Sequence, residues 1–170
     1  MYGIGDNLFT LPAYHVVREA YPEATLTFLV AKQNAQIYQG FPGLDQVLTI
    51  DRQVYHGASY KQMLSETLKL ITTVRRGKYQ LVIDFTSSGE TALLALVSRA
   101  MERWGMIKRK RSRVRSFYYT RVYKATEHIH NADKYVELVK KGGLKPLGIK
   151  NQFQVPHEYI EKAGSLLEEF

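Results

Sequence analysis

Short runs of β-branched and aromatic residues alternate in this chain with segments whose apolar residues recur at helical spacing. The runs at 25–31, 46–50 and 80–84 predict buried strands, because each is short and rich in Val, Ile, Leu, Thr or Phe. Helical spacing predicts helices after Asp6, over 59–76 and over 88–101. Strands that alternate with helices indicate an α/β fold with a doubly wound parallel sheet, for which we expect the strand order 3-2-1-4-5.

The alternation weakens after residue 101. A short strand is predicted at 103–107, and the basic, aromatic stretch that follows, up to Tyr123, is predicted to be irregular. A helix over 131–141 is expected to stop at the following glycine pair. After a brief extended piece at 152–155, Pro156 is expected to open an amphipathic helix.

The amino terminus conflicts with this fold class. A doubly wound sheet has its first strand at the centre, ahead of the first helix, yet only four residues precede Gly5 and Asp6. We therefore expect residue 1 to lie downstream of the natural start, so that the first strand is truncated. The strands near Thr25 and Gln80 would then lose a shared neighbour and expose unpaired backbone.

Composition narrows the class of protein further. A chain of 170 residues fits one domain, and 45% hydrophobic with 24% charged residues excludes intrinsic disorder. The sequence has no cysteine, which excludes disulfides, thiolate zinc sites and iron–sulfur clusters. Its apolar runs are too short for a membrane helix, and its first residues do not form a signal peptide, so we expect a cytoplasmic protein.

The positive charge is concentrated in one part of the chain, residues 103–124, which we call the basic segment. It holds nine of the 24 lysines and arginines and no acidic residue, so it accounts for the whole net charge of +8. Such a segment would attract a polyanion, an anionic lipid or a phosphorylated sugar. The alternative is a solvated loop without a special role.

A glycine-rich turn stands at the amino terminus, where Gly3, Gly5 and Asp6 precede helical sequence. The free amides and positive dipole end of a helix start suit an anion, and Asp6 is expected to cap the first turn. On residue types alone, a tight turn with a helix cap is the preferred explanation of the pattern.

Four segments, taken in order, resemble a known family. G-I-G-D-N-L-F-T-L-P-A-Y-H-V-V-R-E-A-Y-P-E-A-T-L-T-F-L-V covers 3–30, and F-P-G-L-D-Q-V covers 41–47. Y-Q-L-V-I-D-F covers 79–85, and H-N-A-D-K-Y covers 130–135. This order is similar to the amino-terminal domain of glycosyltransferase family 9, the lipopolysaccharide heptosyltransferases of bacteria, and the similarity spans nearly the whole chain.

The resemblance implies a GT-B enzyme, in which two Rossmann-like domains face each other across a cleft. Residues 1–155 would form the acceptor-side domain and 156–170 the helix that leads to the interdomain linker. The carboxy-terminal donor domain would be absent, so we expect no turnover from this chain alone. The implied reaction transfers a sugar from a nucleotide-sugar such as ADP-heptose to a lipid-linked acceptor at the inner leaflet, without a cofactor.

The resemblance also assigns a role to Asp6, the aspartate of the G-D motif, as the general base that takes the proton of an acceptor hydroxyl. Acceptor binding is expected from polar groups at the carboxyl ends of the strands and from the basic segment. These candidates are Gly5, Asn7, Thr86, Ser87, Ser88, Lys108, Arg109, Lys110 and Arg111. A capped helix start is an equally good explanation of the hydroxyls at 86–88.

Other functional classes receive less support. The five histidines lack zinc-protease spacing, so we expect no metal site, and no serine lies in a hydrolase nucleophile motif. A catalytically silent partner subunit with a transferase fold remains an alternative. A nucleic-acid-binding module is another, because aromatic residues at 117–119 and 123 lie among the arginines, but no recognised motif supports it.

Overall fold

The computed structural model describes residues 3–51, 59–86, 88–107, 117–125, 128–148 and 152–168. Helices and strands alternate along most of this length, as the sequence predicts. In chain order the elements are α1 (Ile4–Leu8), α2 (Leu11–Ala20), β1 (Thr27–Ala31), a 3₁₀ segment (Lys32–Gly40), β2 (Gln46–Ile50), α3 (Tyr60–Arg76), β3 (Leu81–Asp84), α4 (Gly89–Val97), β4 (Glu102–Ile107), β5 (Arg121–Lys124), α5 (Asn131–Lys141) and α6 (His157–Glu168).

All the strand pairs are parallel, which confirms the predicted α/β class. β1 pairs with β2 from Thr27 opposite Gln46 to Ala31 opposite Ile50. β3 pairs with β4, and β4 pairs with β5. Within the described residues these strands form two sheets, β1-β2 and β3-β4-β5, rather than one. The break falls between β1 and β3, which is where the predicted order places its first strand.

Capping residues fix the ends of the predicted helices. Ser59 caps α3 by accepting a hydrogen bond from the amide of Gln62, whose side chain in turn accepts from the Ser59 amide at 3.0 Å. α4 begins after Ser88, as predicted, but ends at Val97 instead of residue 101. It ends early because Arg99 has a left-handed backbone (φ 60°), which turns the chain toward β4.

Two elements differ from the sequence prediction. The 3₁₀ segment follows β1, where its few apolar residues show no helical period. β5 lies in the stretch predicted to be irregular. Its two apolar residues, Val122 and Tyr123, are adjacent and stand between the exposed Arg121 and Lys124, so the strand shows no period-two alternation. Charged residues of this kind are common on a strand at the edge of a sheet.

The largest core cluster joins α2, β4 and α5. Val16 and Val17 of α2 pack with Trp104 of β4 and with Val136 and Leu138 of α5. A second cluster places Tyr14 of α2 against the side chains of β1 and the 3₁₀ segment. Since α2 contributes to both clusters, it connects the two sheets, and burial of these side chains stabilises the arrangement by about 1.5–3 kcal/mol each.

The carboxy-terminal region contacts the rest of the chain through a short extended segment. Phe153 contacts Phe41 edge to face, and the amide of Gln154 donates to the carbonyl of Gly40 at 2.9 Å. α6 follows from His157, and its apolar residues Ile160 and Leu167 are exposed. No helix in the described residues is both long and apolar enough to cross a membrane. The proposed division at residue 155 stays a prediction.

Candidate functional site

The glycine-rich turn leads directly into α1. Gly3 precedes the helix and has an extended backbone (φ −107°, ψ 159°). The helix begins at Ile4, so Asp6 lies inside its first turn. The predicted capping role of Asp6 is therefore wrong, because no side chain caps this helix and Asp6 is two residues past its first residue. The Asp6 side chain is half-buried, which leaves part of it open to a ligand. Its charge is favourable near the positive end of the helix.

The side chain of Asn7 holds this turn in place through hydrogen bonds. It is buried, its Nδ2 donates to the carbonyl of Gly3 at 2.6 Å, and its Oδ1 accepts from the Tyr38 hydroxyl at 2.9 Å. Burial raises the pKa of Tyr38 well above its usual value, so the hydroxyl stays protonated and keeps donating. Asn7 was predicted to bind the acceptor, but its polar atoms are used inside the protein, where they hold the backbone that carries Asp6.

A second group of polar residues lies where β3 ends. The buried Asp84 carboxylate accepts from the Thr86 amide and hydroxyl and from the Tyr119 hydroxyl, at 2.6–2.8 Å. The hydroxyls of Thr86 and Ser88 both contact that of Thr91, and Ser88 caps α4. Thr86 and Ser88 belong to the capped start of α4, but both residues are only half-buried. They therefore remain partly accessible at the surface.

Tyr135 of α5 faces both groups. Burial, followed by the negative charges of Asp6 and Asp84, raises the pKa of Tyr135 to about 12. Its ring also contacts Phe85, the residue after β3, with 5.1 Å between ring centres. Asn7 of α1 also lines the same cavity as Asp84, Phe85 and Thr86, so α1 lies near the end of β3, at the carboxyl edge of the sheets. In α/β folds this edge carries the ligand site.

The structure brings together some of the predicted site residues. Gly5, Asp6 and Asn7 lie on α1, with Thr86 and Ser88 at the neighbouring start of α4. Two predicted groups, Ser87 and the four cations Lys108, Arg109, Lys110 and Arg111, lie outside the described residues. The roles of these residues in acceptor binding stay predictions.

The described ends of the basic segment support the fold. Arg103 donates to the carbonyl of Tyr118 at 2.8 Å. Arg121 pairs with Glu102 at 3.2 Å and donates to the carbonyl of Gly142 at 2.9 Å. These two arginines therefore join neighbouring strands and α5, and the charge of Arg121 is paired with that of Glu102.

Sequence reasoning did not find the three tyrosines that organise this edge, Tyr38, Tyr119 and Tyr135. Each reaches the edge from a different part of the chain, and their contacts join residues that are far apart in sequence, such as Tyr119 with Asp84 and Tyr135 with Phe85. No local spacing signals such contacts. Among the described residues, no group of three or more histidine, aspartate or glutamate side chains is placed to hold a metal ion.

Comparison with solved structures identifies the fold of the chain. The chain superposes on the glycosyl transferase family 9 structure from Veillonella parvula DSM 2008 with a TM-score of 0.80 and 18% identity, over 98% of this chain and 47% of that one. The chain has the fold of one half of a family 9 glycosyltransferase. The heptosyltransferase WaaC of E. coli, solved with ADP, superposes with a TM-score of 0.68 and 22% identity, over 87% of this chain and 48% of that one.

Sequence comparison gives a consistent result. Lipopolysaccharide heptosyltransferase 3 of Escherichia coli strain K12 is 30% identical over 90 residues, which are 53% of this chain and 25% of that protein. No family model matches the chain. The chain thus spans about half the length of the family 9 structures and a quarter of this curated relative. The resemblance seen in the sequence is confirmed, and with it the Rossmann-like, doubly wound fold.

Proposed function

We propose that this chain is the acceptor-side half of a heptosyltransferase-like glycosyltransferase. The observation that carries the proposal is the placement of Asp6. It is half-buried at the carboxyl edge, on a turn that Asn7 and Tyr38 hold in place, within the family 9 fold. A carboxylate that is held rigidly and remains partly accessible can accept a proton from a bound hydroxyl.

In the proposed reaction Asp6 takes the proton of an acceptor hydroxyl while the hydroxyl oxygen attacks the anomeric carbon of the donor sugar. The bond from that carbon to the nucleoside diphosphate breaks, and the diphosphate leaves with the bonding electrons. The positive end of α1 favours the ionised carboxylate, which makes Asp6 available at neutral pH but weakens it as a base. Its contribution therefore depends on proximity to the hydroxyl.

The relatives suggest the class of donor. WaaC has been solved with ADP and with ADP-2-deoxy-2-fluoro heptose, and another family member is an ADP-heptose heptosyltransferase. By analogy we propose that a nucleotide-sugar such as ADP-heptose is the donor, bound by a second, donor-binding half. The acceptor is then a lipid-linked sugar of a bacterial lipopolysaccharide core or related glycan, reached from the cytoplasmic side of the membrane.

The proposed acceptor contacts come from two sources. Thr86 and Ser88 present hydroxyl groups beside α1, where they can bind sugar or phosphate oxygens. The sequence of the basic segment supplies the positive charge that would attract a phosphorylated, membrane-anchored acceptor. A silent partner subunit and a nucleic-acid-binding module receive no specific support from the edge described above.

The test is the variant Asp6→Asn, made in a protein that joins this chain to a donor-binding half and assayed for transfer from ADP-heptose to a lipid-linked acceptor. We expect kcat to fall by about 10²–10⁴-fold, because the amide cannot take the proton, while the acceptor Kd changes little. The matched control is Asp133→Asn, because Asp133 also lies in the first turn of a helix but is exposed. Full activity of the Asp6 variant would remove Asp6 from the mechanism.

A further inference from the structure

We propose that the first half of α3 is a membrane-docking surface, which inserts an apolar stripe into the headgroup region of an anionic bilayer. The stripe consists of Tyr60, Leu64 and Leu68. The proposal concerns lipid binding and does not rest on sugar transfer, so the two proposals can fail separately. Three observations support it: the exposure of the stripe, the positive charges around it and its place at the carboxyl edge.

The stripe is a continuous apolar surface on one side of α3. Its members recur every four residues, so each lies about 40° around the helix axis from the one before. The three residues are 74%, 47% and 54% exposed, whereas Val74 of the same helix is buried. α3 therefore has a covered apolar side, and the stripe lies outside it. One exposed leucine is common on a protein surface, but three large apolar side chains in line on one helix indicate an interaction site.

The charged side chains of α3 are mainly positive. The helix contains one acidic residue, Glu66, and four basic ones, Lys61, Lys69, Arg75 and Arg76. Glu66 pairs with Lys69 at 2.6 Å, so the remaining three cations determine the net charge of the helix surface. This charge is complementary to the phosphates of anionic lipids, which attract basic residues to the bilayer surface.

Two of these cations stand at the two ends of the stripe. Lys61 follows Tyr60 directly, and Arg75 lies two turns beyond Leu68 on the same side of the helix. Both cations are exposed. A long basic side chain can keep its charge among lipid phosphates while its stem lies along an inserted apolar surface, and tyrosine is enriched at the same boundary. An apolar stripe with cations at its ends therefore matches an anionic bilayer.

The stripe lies at the carboxyl edge of the sheets. α3 packs along α4, and both helices run in the same direction, because their last turns meet where Arg75 Nε donates to the carbonyl of Val97 at 3.3 Å. α4 begins at the carboxyl edge, after Ser88. α3 has 17 residues and α4 has 9, so α3 is longer by about 12 Å at 1.5 Å per residue. The first half of α3, which carries the stripe, therefore projects beyond the start of α4.

Insertion of the stripe would bring the carboxyl edge to the bilayer surface. α3 has five charged residues among its 17, so it would lie in the plane of the interface rather than cross the bilayer. This mode of binding differs from attraction by the basic segment, because burial of apolar side chains is not screened by salt. Vesicle binding should therefore include a component that high salt does not remove.

The experiment measures co-sedimentation of the 170-residue chain with vesicles of phosphatidylcholine and phosphatidylglycerol. The test variant combines Leu64→Gln with Leu68→Gln. The matched control combines Leu147→Gln with Leu167→Gln, which changes two leucines that are even more exposed. We expect the Kd of the test variant to rise by about tenfold or more, at high salt as well as at low salt, because two apolar side chains no longer leave water on binding. The control variant should bind like the unchanged chain.

A second measurement reports insertion directly. Tyr60→Trp places a fluorophore in the stripe, and brominated lipid quenches its emission only when the ring reaches the acyl chains. The one natural tryptophan, Trp104, is buried, and the unchanged chain gives its contribution to the signal. We expect quenching and a blue shift with Tyr60→Trp, and neither with the control Ile160→Trp, which lies on α6.

Weaker binding of the test variant alone, together with quenching of the Tyr60→Trp variant, supports the proposal. Equal binding of the test and control variants overturns it, and so does the absence of quenching. Equally strong binding of the unchanged chain to vesicles of phosphatidylcholine alone also overturns it, because the cations around the stripe then have no part in docking. A dimer of the unchanged chain that the test variant converts to a monomer overturns it as well, since a second copy would then cover the stripe.

Discussion

At the residue scale, the chain uses a buried asparagine to hold its candidate catalytic turn. The Asn7 side chain joins the carbonyl of Gly3 to the hydroxyl of Tyr38, which lies 31 positions away. Both residues are almost completely buried. A polar pair in such a place needs all its hydrogen bonds, because an unsatisfied buried acceptor costs about 1–3 kcal/mol.

Tyr38→Phe tests this pair. The variant keeps the ring and removes the donor to Asn7 Oδ1, so we expect a loss of about 1–3 kcal/mol in the free energy of unfolding, measured by urea denaturation. Tyr60→Phe is the matched control, because the Tyr60 side chain is 74% exposed. Equal stability of the two variants would show that the bond to Asn7 does not hold the turn.

Residues of this site differ in how far sequence could predict them. Asp6 was identifiable because its motif is continuous in sequence. The inward orientation of Asn7 was not, because it depends on Tyr38, and the engagement of Asp84 depends on Tyr119, 35 positions away. A continuous sequence motif identifies the residue that could act on a ligand. The residues that position it are distant in sequence, so only the folded structure identifies them.

At the element scale, β4 and the segment before β5 approach each other closely at a glycine. A Cβ atom placed on Gly105 would overlap the ring of Tyr119. That ring has little freedom to move, because its hydroxyl donates to the buried carboxylate of Asp84 at 2.6 Å. Gly105 therefore allows the tyrosine to cover β4 while it reaches the end of β3.

Gly105→Ala should consequently destabilise the protein by about 1–3 kcal/mol, the usual cost of overpacking in a core. Thermal unfolding followed by circular dichroism measures the effect. In the control, Gly148→Ala, the added methyl group has no neighbour within 4 Å among the described residues, so the melting temperature should hardly change. An unchanged melting temperature of the Gly105 variant would mean that Tyr119 can leave its position at little cost.

Elements with a strong local pattern were predicted well, and those without one were not. α5 has the predicted bounds, 131–141, since apolar spacing and the glycines after it act together. β2 also has its predicted bounds, 46–50. β5 and the 3₁₀ segment were missed. β5 pairs with β4, and the 3₁₀ segment packs beside β1. Neither interaction is visible in a short window of sequence.

At the scale of the whole molecule, the described strands form two parallel sheets, and α2 packs against both. The concentration of charge is the other global property. Two of the three described members of the basic segment, Arg103 and Arg121, make structural contacts, and the third, Lys124, is exposed. The four consecutive cations at 108–111 are the densest part of the segment in sequence, so we expect membrane attraction from them.

Neutralising Lys108, Arg109, Lys110 and Arg111 to glutamine should weaken binding to vesicles that contain anionic lipid. We expect a loss of about tenfold or more at low salt, and a smaller difference at high salt, because screening shortens the reach of surface charge. Co-sedimentation with vesicles measures it. The control changes four exposed cations elsewhere, Lys61, Arg76, Lys141 and Lys162, which lowers the net charge equally. Equal loss in both variants would assign the attraction to net charge alone.

The central claim, that the carboxyl edge around Asp6 binds a glycosyl acceptor, is tested most directly by titrating the isotope-labelled 170-residue chain with a phosphorylated lipid-linked sugar and following its backbone amides by NMR. The account predicts saturable shifts at Gly5, Asp6, Thr86 and Ser88, and smaller changes on the far face of α3. Shifts that avoid this edge, or an acceptor that produces none at saturating concentration, would contradict it.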